Sequence, residues 1–285
     1  PLLSGQLRVS DGFLSRVLLG EEYKPDYSTG FPAKRVTTEL EWKDLVLDYR
    51  VSAELEEINT WIASYRTIME DWGLSRYLKA GYRALFYGPP GTGKTLAATL
   101  LGKKNKMDVY RVDLSMIVSK YIGETEKNLA KVFDMAENRN WILFFDEADA
   151  LFGKRTSTNT SNDRHANQEV AYLLQRIEDF PGTVILATNL RSNIDEAFSR
   201  RFQSVVYFPM PTEELRRELW RNMLPEEWLG RQADGLVALA AETELSGGSI
   251  TNVVRRCALQ LVMSGRKTLD ERTLKDALEK EKAKL

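Results

Sequence analysis

The chain has 285 residues, 43% hydrophobic and 28% charged, a composition that suits a soluble globular protein with one large domain or a large and a small one. Forty Lys and Arg stand against 41 Asp and Glu, so no net field recruits nucleic acid or an acidic membrane. A single cysteine, Cys257, excludes an internal disulfide, and no apolar run approaches the ~20 residues of a membrane span, so a cytoplasmic location is expected.

The chain begins at Pro1 rather than Met, and a longer parent chain is an expectation. Residues 1–40 have scattered Gly, Pro and Tyr, and "EYKPDYSTGFP" reads as loop, so this stretch is taken as an N-terminal extension. "AELEEINTWIASYRTIMEDW" then shows the apolar period of an amphipathic helix. Five short runs rich in β-branched and aromatic residues follow: "ALFY" at 84–87, "DVYRV" at 108–112, "WILFF" at 141–145, "TVILAT" at 183–188 and "SVVYF" at 204–208. "KTLAATLLGK", "ETEKNLAKVFDMAE" and "NQEVAYLLQRIEDF" lie between them as helices. Strands without polar alternation, joined by helices, predict a parallel sheet buried on both faces. Beyond "FPMP" at 208–211 the remaining periodic segments all read as helices. The predicted organisation is an extension at 1–40, an α/β unit at 41–211 and a smaller all-helical unit at 212–285.

"GPPGTGKT" at 88–95 follows the first predicted strand and opens a helix, which is the context that gives G-x-x-x-x-G-K-[ST] its meaning. Gly88, Gly91 and Gly93 let backbone N–H groups close on a phosphate at a helix N-terminus. Pro89, Pro90, Thr92 and the following Leu96 complete the expected nucleotide-binding segment. Lys94 would place a charge on the β- and γ-phosphates, and the Thr95 hydroxyl would ligate Mg²⁺.

"WILFFDEADALF" runs an apolar strand into Asp146 and Glu147 at the edge of the sheet where ligands bind in open α/β folds. Asp146 would hold the water shell of Mg²⁺, and Glu147 would polarise a water for attack on the γ-phosphate. "VILATN" ends the next strand in Asn189, which either orients that water or caps the strand end. "FSRRF" sets Arg200 and Arg201 before the fifth strand. They either stabilise transition-state charge, often on a neighbouring molecule, or form a solvated surface network. In "SKYIGETEKNL", Lys120, Tyr121, Ile122 and Gly123 form a loop tip that either packs locally or grips another molecule.

In order and wording these motifs resemble the AAA+ ATPases, in the protein-remodelling branch that includes katanin and spastin. The resemblance covers roughly residues 40–265. It implies an α/β fold, with a five-stranded parallel-sheet P-loop NTPase core and an all-helical C-terminal lid. It further implies ATP and Mg²⁺ as cofactors, and a homo-oligomeric ring, usually a hexamer. "GPPGTGKT" is similar to Walker A and "ILFFDEAD" to Walker B; Asn189 falls on sensor 1 and Arg200–Arg201 on the arginine fingers. "YIGETEKNL" is similar to the first pore loop, which makes Tyr121 a grip on a threaded protein substrate. An aromatic side chain suits that role because area burial is not sequence-specific.

Several positions depart from the family pattern. "SGGSITNV" puts Gly248 and Ser249 where the branch has Ala-Asp, and "KDLVLD" puts Leu45 and Val46 on the adenine side without the branch's paired glycines. "GKRTSTNTSNDRHANQ" stands where the family has a second pore loop, or is a plain connector; its His165 is read as solvated. "YRALFYGPPGTGKT", "DLSMIVSKYIGETEKNL" and "LFFDEADALFGKR" also resemble the ATPases encoded with bacterial contractile injection systems. The competing reading is an AAA+ ATPase acting on nucleic acid, such as a clamp loader or helicase; the balanced charge and the Tyr121 loop weigh against it. A third, a nucleotide-gated scaffold without turnover, has no need of Glu147.

Overall fold

The computed structural model describes residues 17–18, 20, 24–28, 30–115, 124–137, 139–149, 171–189 and 196–284. The Lys120–Gly123 tip, the 153–168 segment and His165 lie outside them. The strands are β1 (Lys34–Val36), β2 (Tyr82–Tyr87), β3 (Asp108–Asp113), β4 (Trp141–Asp146), β5 (Thr183–Thr188) and β6 (Ser204–Tyr207). They form one sheet in the order β1-β3-β4-β5-β2-β6. The five predicted strands pair in parallel, as expected from their unbroken apolar runs.

The sixth strand is a difference from the sequence reading. β1 pairs antiparallel with β3 and comes from the stretch taken as a loop-like extension. Three residues are too few to show a two-residue period, so nothing in the sequence marked it. Lys24 and Arg35 fasten this edge by ion pairs to Asp108 at 3.1 and 3.0 Å.

Helices cover both faces of the sheet. On one face Tyr110, Val112, Leu143, Phe145, Val184 and Leu186 pack against α3 (Glu124–Glu137) and α4 (residues 171–179). The buried residues of α3, Leu129, Val132, Phe133 and Ala136, recur at helical spacing and make one stripe. On the other face Ala84, Phe86, Ile142, Phe144, Ile185 and Ala187 meet α1 (Tyr49–Arg66) and α2 (Lys94–Lys104). Gly102 on α2 allows that contact, since a Cβ there would stand 2.2 Å from Val109 Cγ2. The short α5 (Glu196–Ser199) precedes β6.

After Pro211 the chain is helical: α6 (Glu213–Met223), α7 (Glu226–Leu229), α8 (Ala233–Glu242), α9 (Gly247–Ser264) and α10 (Glu271–Lys282). Their apolar stripes close around the fully buried Trp220, with Val253, Cys257 and Leu274 beside it. Truncating such a residue to alanine typically costs about 3–5 kcal/mol, the transfer and cavity terms together. Local chemistry sets the ends: Thr212, Ser246 and Asp270 cap α6, α9 and α10 by accepting from Leu215, Ser249 and Thr273 N–H groups. The buried Arg216 donates to Pro211 O and Ala241 O, both at 2.7 Å, and so ties the connecting segment to the helical unit. Burial pushes the Cys257 thiol up to about 11, which keeps it a packing residue.

Candidate active site

The phosphate loop leaves β2 at Gly88 and enters α2 at Lys94. Gly88, Gly91 and Gly93 have φ of 141°, 74° and 102°, conformations that side chains resist. Space enforces the same choice at two of them. A Cβ on Gly88 would lie 2.1 Å from Phe208 O, and one on Gly91 would lie 2.5 Å from Ser246 Oγ. The Thr92 hydroxyl closes the loop by donating to Pro89 O at 2.8 Å.

Lys94 is buried and its ammonium donates to Gly88 O, Pro89 O and Asn189 Oδ1 at 2.7, 2.9 and 2.9 Å. Burial lowers its pKa to about 8, while Asp146 and Asp149 pull it the other way. Asp146 sits at the end of β4, where Arg111 from β3 forms an ion pair with it at 2.8 Å. Glu147 has φ of 55°, rare for a residue with a side chain; it is exposed at the cavity and its N–H donates to Asp146 Oδ1 at 3.0 Å.

These groups line a cavity of about 470 Å³ between the strand ends and the helical unit. Of the sequence-predicted residues, Pro90, Gly91, Thr92, Gly93, Lys94, Thr95, Leu96, Asp146, Glu147 and Asn189 all line it. Leu45, Val46 and Gly248 also line it. Leu45 packs on the sheet's core while Val46 packs on the helical core, so this segment bridges the two units. Gly248 N–H donates to Gly91 O at 2.9 Å and brings the start of α9 onto the phosphate loop.

Other predicted residues lie elsewhere. Gly88 and Pro89 contribute their carbonyls to Lys94 without forming the cavity wall. Ser249 is buried outside the wall, with its hydroxyl toward Glu281. Arg200 and Arg201 are exposed, line no part of the cavity, and Arg201 is ion-paired with Glu178.

The sequence reading missed part of the site. Asp149 accepts from the Thr188 hydroxyl and from Asn189 N–H, and so joins the turn after β4 to the end of β5. Leu215, Leu219 and Met223 supply an apolar wall from α6. Their helical spacing was visible, but their aim at the cavity follows from how the two units dock. Arg111 stood out only as a charge within an apolar run.

The donor set fits a nucleoside triphosphate with Mg²⁺. A glycine cradle that a Cβ would fill faces a buried ammonium, and Thr95 and Asp146 add one hydroxyl and one carboxylate to the same cavity. That sparse set suits Mg²⁺, which keeps several waters and takes further oxygens from phosphates.

Residues 84–210 match the model of the ATPase family associated with various cellular activities (AAA). The proteasome-activating nucleotidase of Sulfurisphaera tokodaii is 34% identical over 70% of this chain and 53% of its own length. Cell division protein C of Sulfolobus acidocaldarius is 41% identical over 47% of this chain and 38% of its own. Vacuolar protein sorting-associated protein 4A of Homo sapiens is 33% identical over 62% of this chain and 42% of its own. The chain thus spans about half or less of the length of these relatives. With the sheet order, the phosphate loop and the acidic strand end in place, residues 84–210 carry an ATPase domain of the AAA type.

Proposed function

We propose that this chain hydrolyses ATP with Mg²⁺ and works in a homo-oligomeric ring, with a hexamer as the expected size, that remodels protein substrates. The observation that carries the hydrolysis is the convergence of Lys94, Thr95, Asp146, Glu147 and Asn189 on one cavity. When bound, Mg²⁺ supplies charge neutralisation at the phosphate oxygens. The loop N–H groups and Lys94 bind and orient the phosphates. Glu147 takes the proton of the attacking water, and its rare backbone conformation presents the carboxylate to the cavity. Asn189, held beside Lys94, positions the water or the γ-phosphate. Leu45 and Val46 with the α6 wall give the base an apolar seat, closed by the start of α9.

The ring reading is supported by the exposure of Arg200 and Arg201 outside their own cavity, a placement that suits action on a neighbour's nucleotide. The names of the relatives, a proteasome-activating nucleotidase and a vacuolar protein sorting-associated protein, support protein as the substrate class. Tyr121, together with Lys120, Ile122 and Gly123, is the proposed grip on that substrate. Among the described residues no helix is long and apolar enough to cross a membrane. We place the machine in the cytoplasm, and the motif wording shared with contractile-injection-system ATPases nominates tail-like particles as its substrate.

One experiment tests the core of this reading: phosphate release from ATP with and without Mg²⁺, alongside particle mass with and without nucleotide. Mg²⁺-dependent release from a multi-subunit particle is the expected result. A monomer that turns over at the same rate per subunit at every concentration would remove the ring from the mechanism.

A further inference from the structure

Arg111 lies on β3, one strand in from the edge of the sheet. Val109, two residues earlier, packs in the core under α2, while Tyr110 and Val112 face the opposite core. The alternation of a strand therefore puts Arg111 on the face that carries the phosphate-loop helix. Ile142 and Phe144 on β4 share that face, so Asp146, two residues on, emerges there as well. The parallel register sets Arg111 opposite Phe144 and Asp113 opposite Asp146. The Arg111 side chain reaches forward along the sheet to meet Asp146 Oδ2 at 2.8 Å.

This pairing concerns the carboxylate assigned to the metal. Asp146 Oδ1 already accepts the Glu147 N–H at 3.0 Å, so each carboxylate oxygen has a protein partner. The arginine is held less completely. A guanidinium has five N–H donors, and the Nε of Arg111 is buried without a hydrogen-bond partner among the described residues. Its side chain is 39% exposed, so the head has an open direction in which to move. Arg111 is not a wall of the cavity; it touches the site through its ion pair with Asp146, which lines it.

We infer that Arg111 and Mg²⁺ compete for Asp146: the guanidinium is the resident counterion of that carboxylate, and the metal arriving with nucleotide displaces it. The inference rests on the ATPase reading above and assigns a regulatory residue to the same site. Two consequences have opposite signs. Without metal, the ion pair neutralises a carboxylate that faces the incoming phosphates, so Arg111 favours metal-free nucleotide. With metal, the same positive charge opposes Mg²⁺, so Arg111 raises the Mg²⁺ concentration the site requires. The requirement becomes a threshold set by the protein.

The test measures binding at equilibrium, independent of turnover. Arg111→Met keeps the aliphatic stem in place and removes the charge. Affinity for a fluorescent ATP analogue is measured in EDTA, and the midpoint of its response to added Mg²⁺ is measured at saturating analogue. A unit charge at contact distance alters ion affinity by roughly tenfold or more. The expected result is a Mg²⁺ midpoint about tenfold lower together with weaker binding in EDTA. Arg111→Lys should lie between the two proteins, and it keeps the comparison available if the Met variant folds poorly. In an Asp146→Asn background, Arg111→Met should leave the midpoint unchanged. Weakening on both axes would make Arg111 a structural prop and overturn the inference, as would no change on either. An equal shift of the midpoint in the Asp146→Asn background would also overturn it. Failure of the unaltered protein to bind the analogue at all would overturn the ATPase reading and this inference with it.

Discussion

The Lys94 ammonium donates to Asn189 Oδ1 at 2.9 Å and, with Gly88 N–H donating to Thr188 O at 3.2 Å, ties the phosphate loop to the end of β5. Burial holds the pKa of that ammonium at about 8, below the ordinary lysine value, because desolvation outweighs the pull of Asp146 and Asp149. Phosphate prefers the charged form and therefore raises the pKa on binding. Nucleotide affinity should be flat below pH 8 and then fall towards pH 9.5, by roughly tenfold per unit at the steepest. Calorimetric titration over that range checks it, and Lys94→Arg, whose charge does not titrate there, should flatten the slope. Lys94→Ala should lose binding at every pH.

Glu147→Gln should bind ATP with little change and lose turnover by roughly 10²–10⁴-fold, the range a positioned general base supplies. Single-turnover phosphate release separates the two quantities. Full hydrolysis by this variant would remove Glu147 from the chemistry.

Arg201→Ala should cost little stability, because its ion pair with Glu178 is exposed and such pairs contribute about 0–1 kcal/mol. Turnover should nonetheless fall by roughly 10³-fold or more, as for other arginines that act on a phosphoryl group in trans. Mixing Arg201→Ala subunits with Lys94→Ala subunits should restore part of the activity, since some interfaces then combine an intact pocket with an intact finger. Activity that never recovers on mixing, at any ratio, would argue for a role within one subunit.

Gly91→Ala should damage the site from two directions. Its φ of 74° strains any side chain, and the new Cβ would meet Ser246 Oγ at 2.5 Å, where α9 is capped. Strained backbone of this kind costs about 1–3 kcal/mol. The helical unit should separate from the phosphate loop, which hydrogen exchange at Gly248 N–H reports directly.

Tyr121→Ala should keep most basal turnover and nucleotide-driven assembly while failing to remodel a folded partner. The lost contact is about 1–3 kcal/mol of apolar burial per loop, and a ring would multiply it. Tyr121→Phe should work nearly normally. Loss of folding or of basal hydrolysis in the alanine variant would make Tyr121 a packing residue.

Much of the fold was legible because its elements carry one signal each. "TVILAT" and "ETEKNLAKVFDMAE" became a strand and a helix with the predicted bounds, one by an unbroken apolar run and the other by a stripe at helical spacing. β1 was not legible, since a three-residue edge strand is held by its partner rather than by its own pattern. Within the site the same division holds. Lys94, Asp146 and Glu147 announce themselves through motif and context. Asp149, Arg111 and the α6 wall depend on which strand ends lie side by side and on how the helical unit docks, and spacing along one chain does not encode either.

The bonds between β1 and β3 carry a practical consequence for anyone who trims this chain. The segment matched by the family model begins at residue 84, well after Val36. A product cut there would leave the outer N–H and C=O groups of β3 bare. An uncovered edge strand is a template for joining another molecule's sheet, and so a route to aggregates. It would also lack Leu45–Asp48, one side of the cavity. Poor solubility and weak nucleotide retention in such a product would then trace to the missing edge cover and cavity wall, with every motif residue still present.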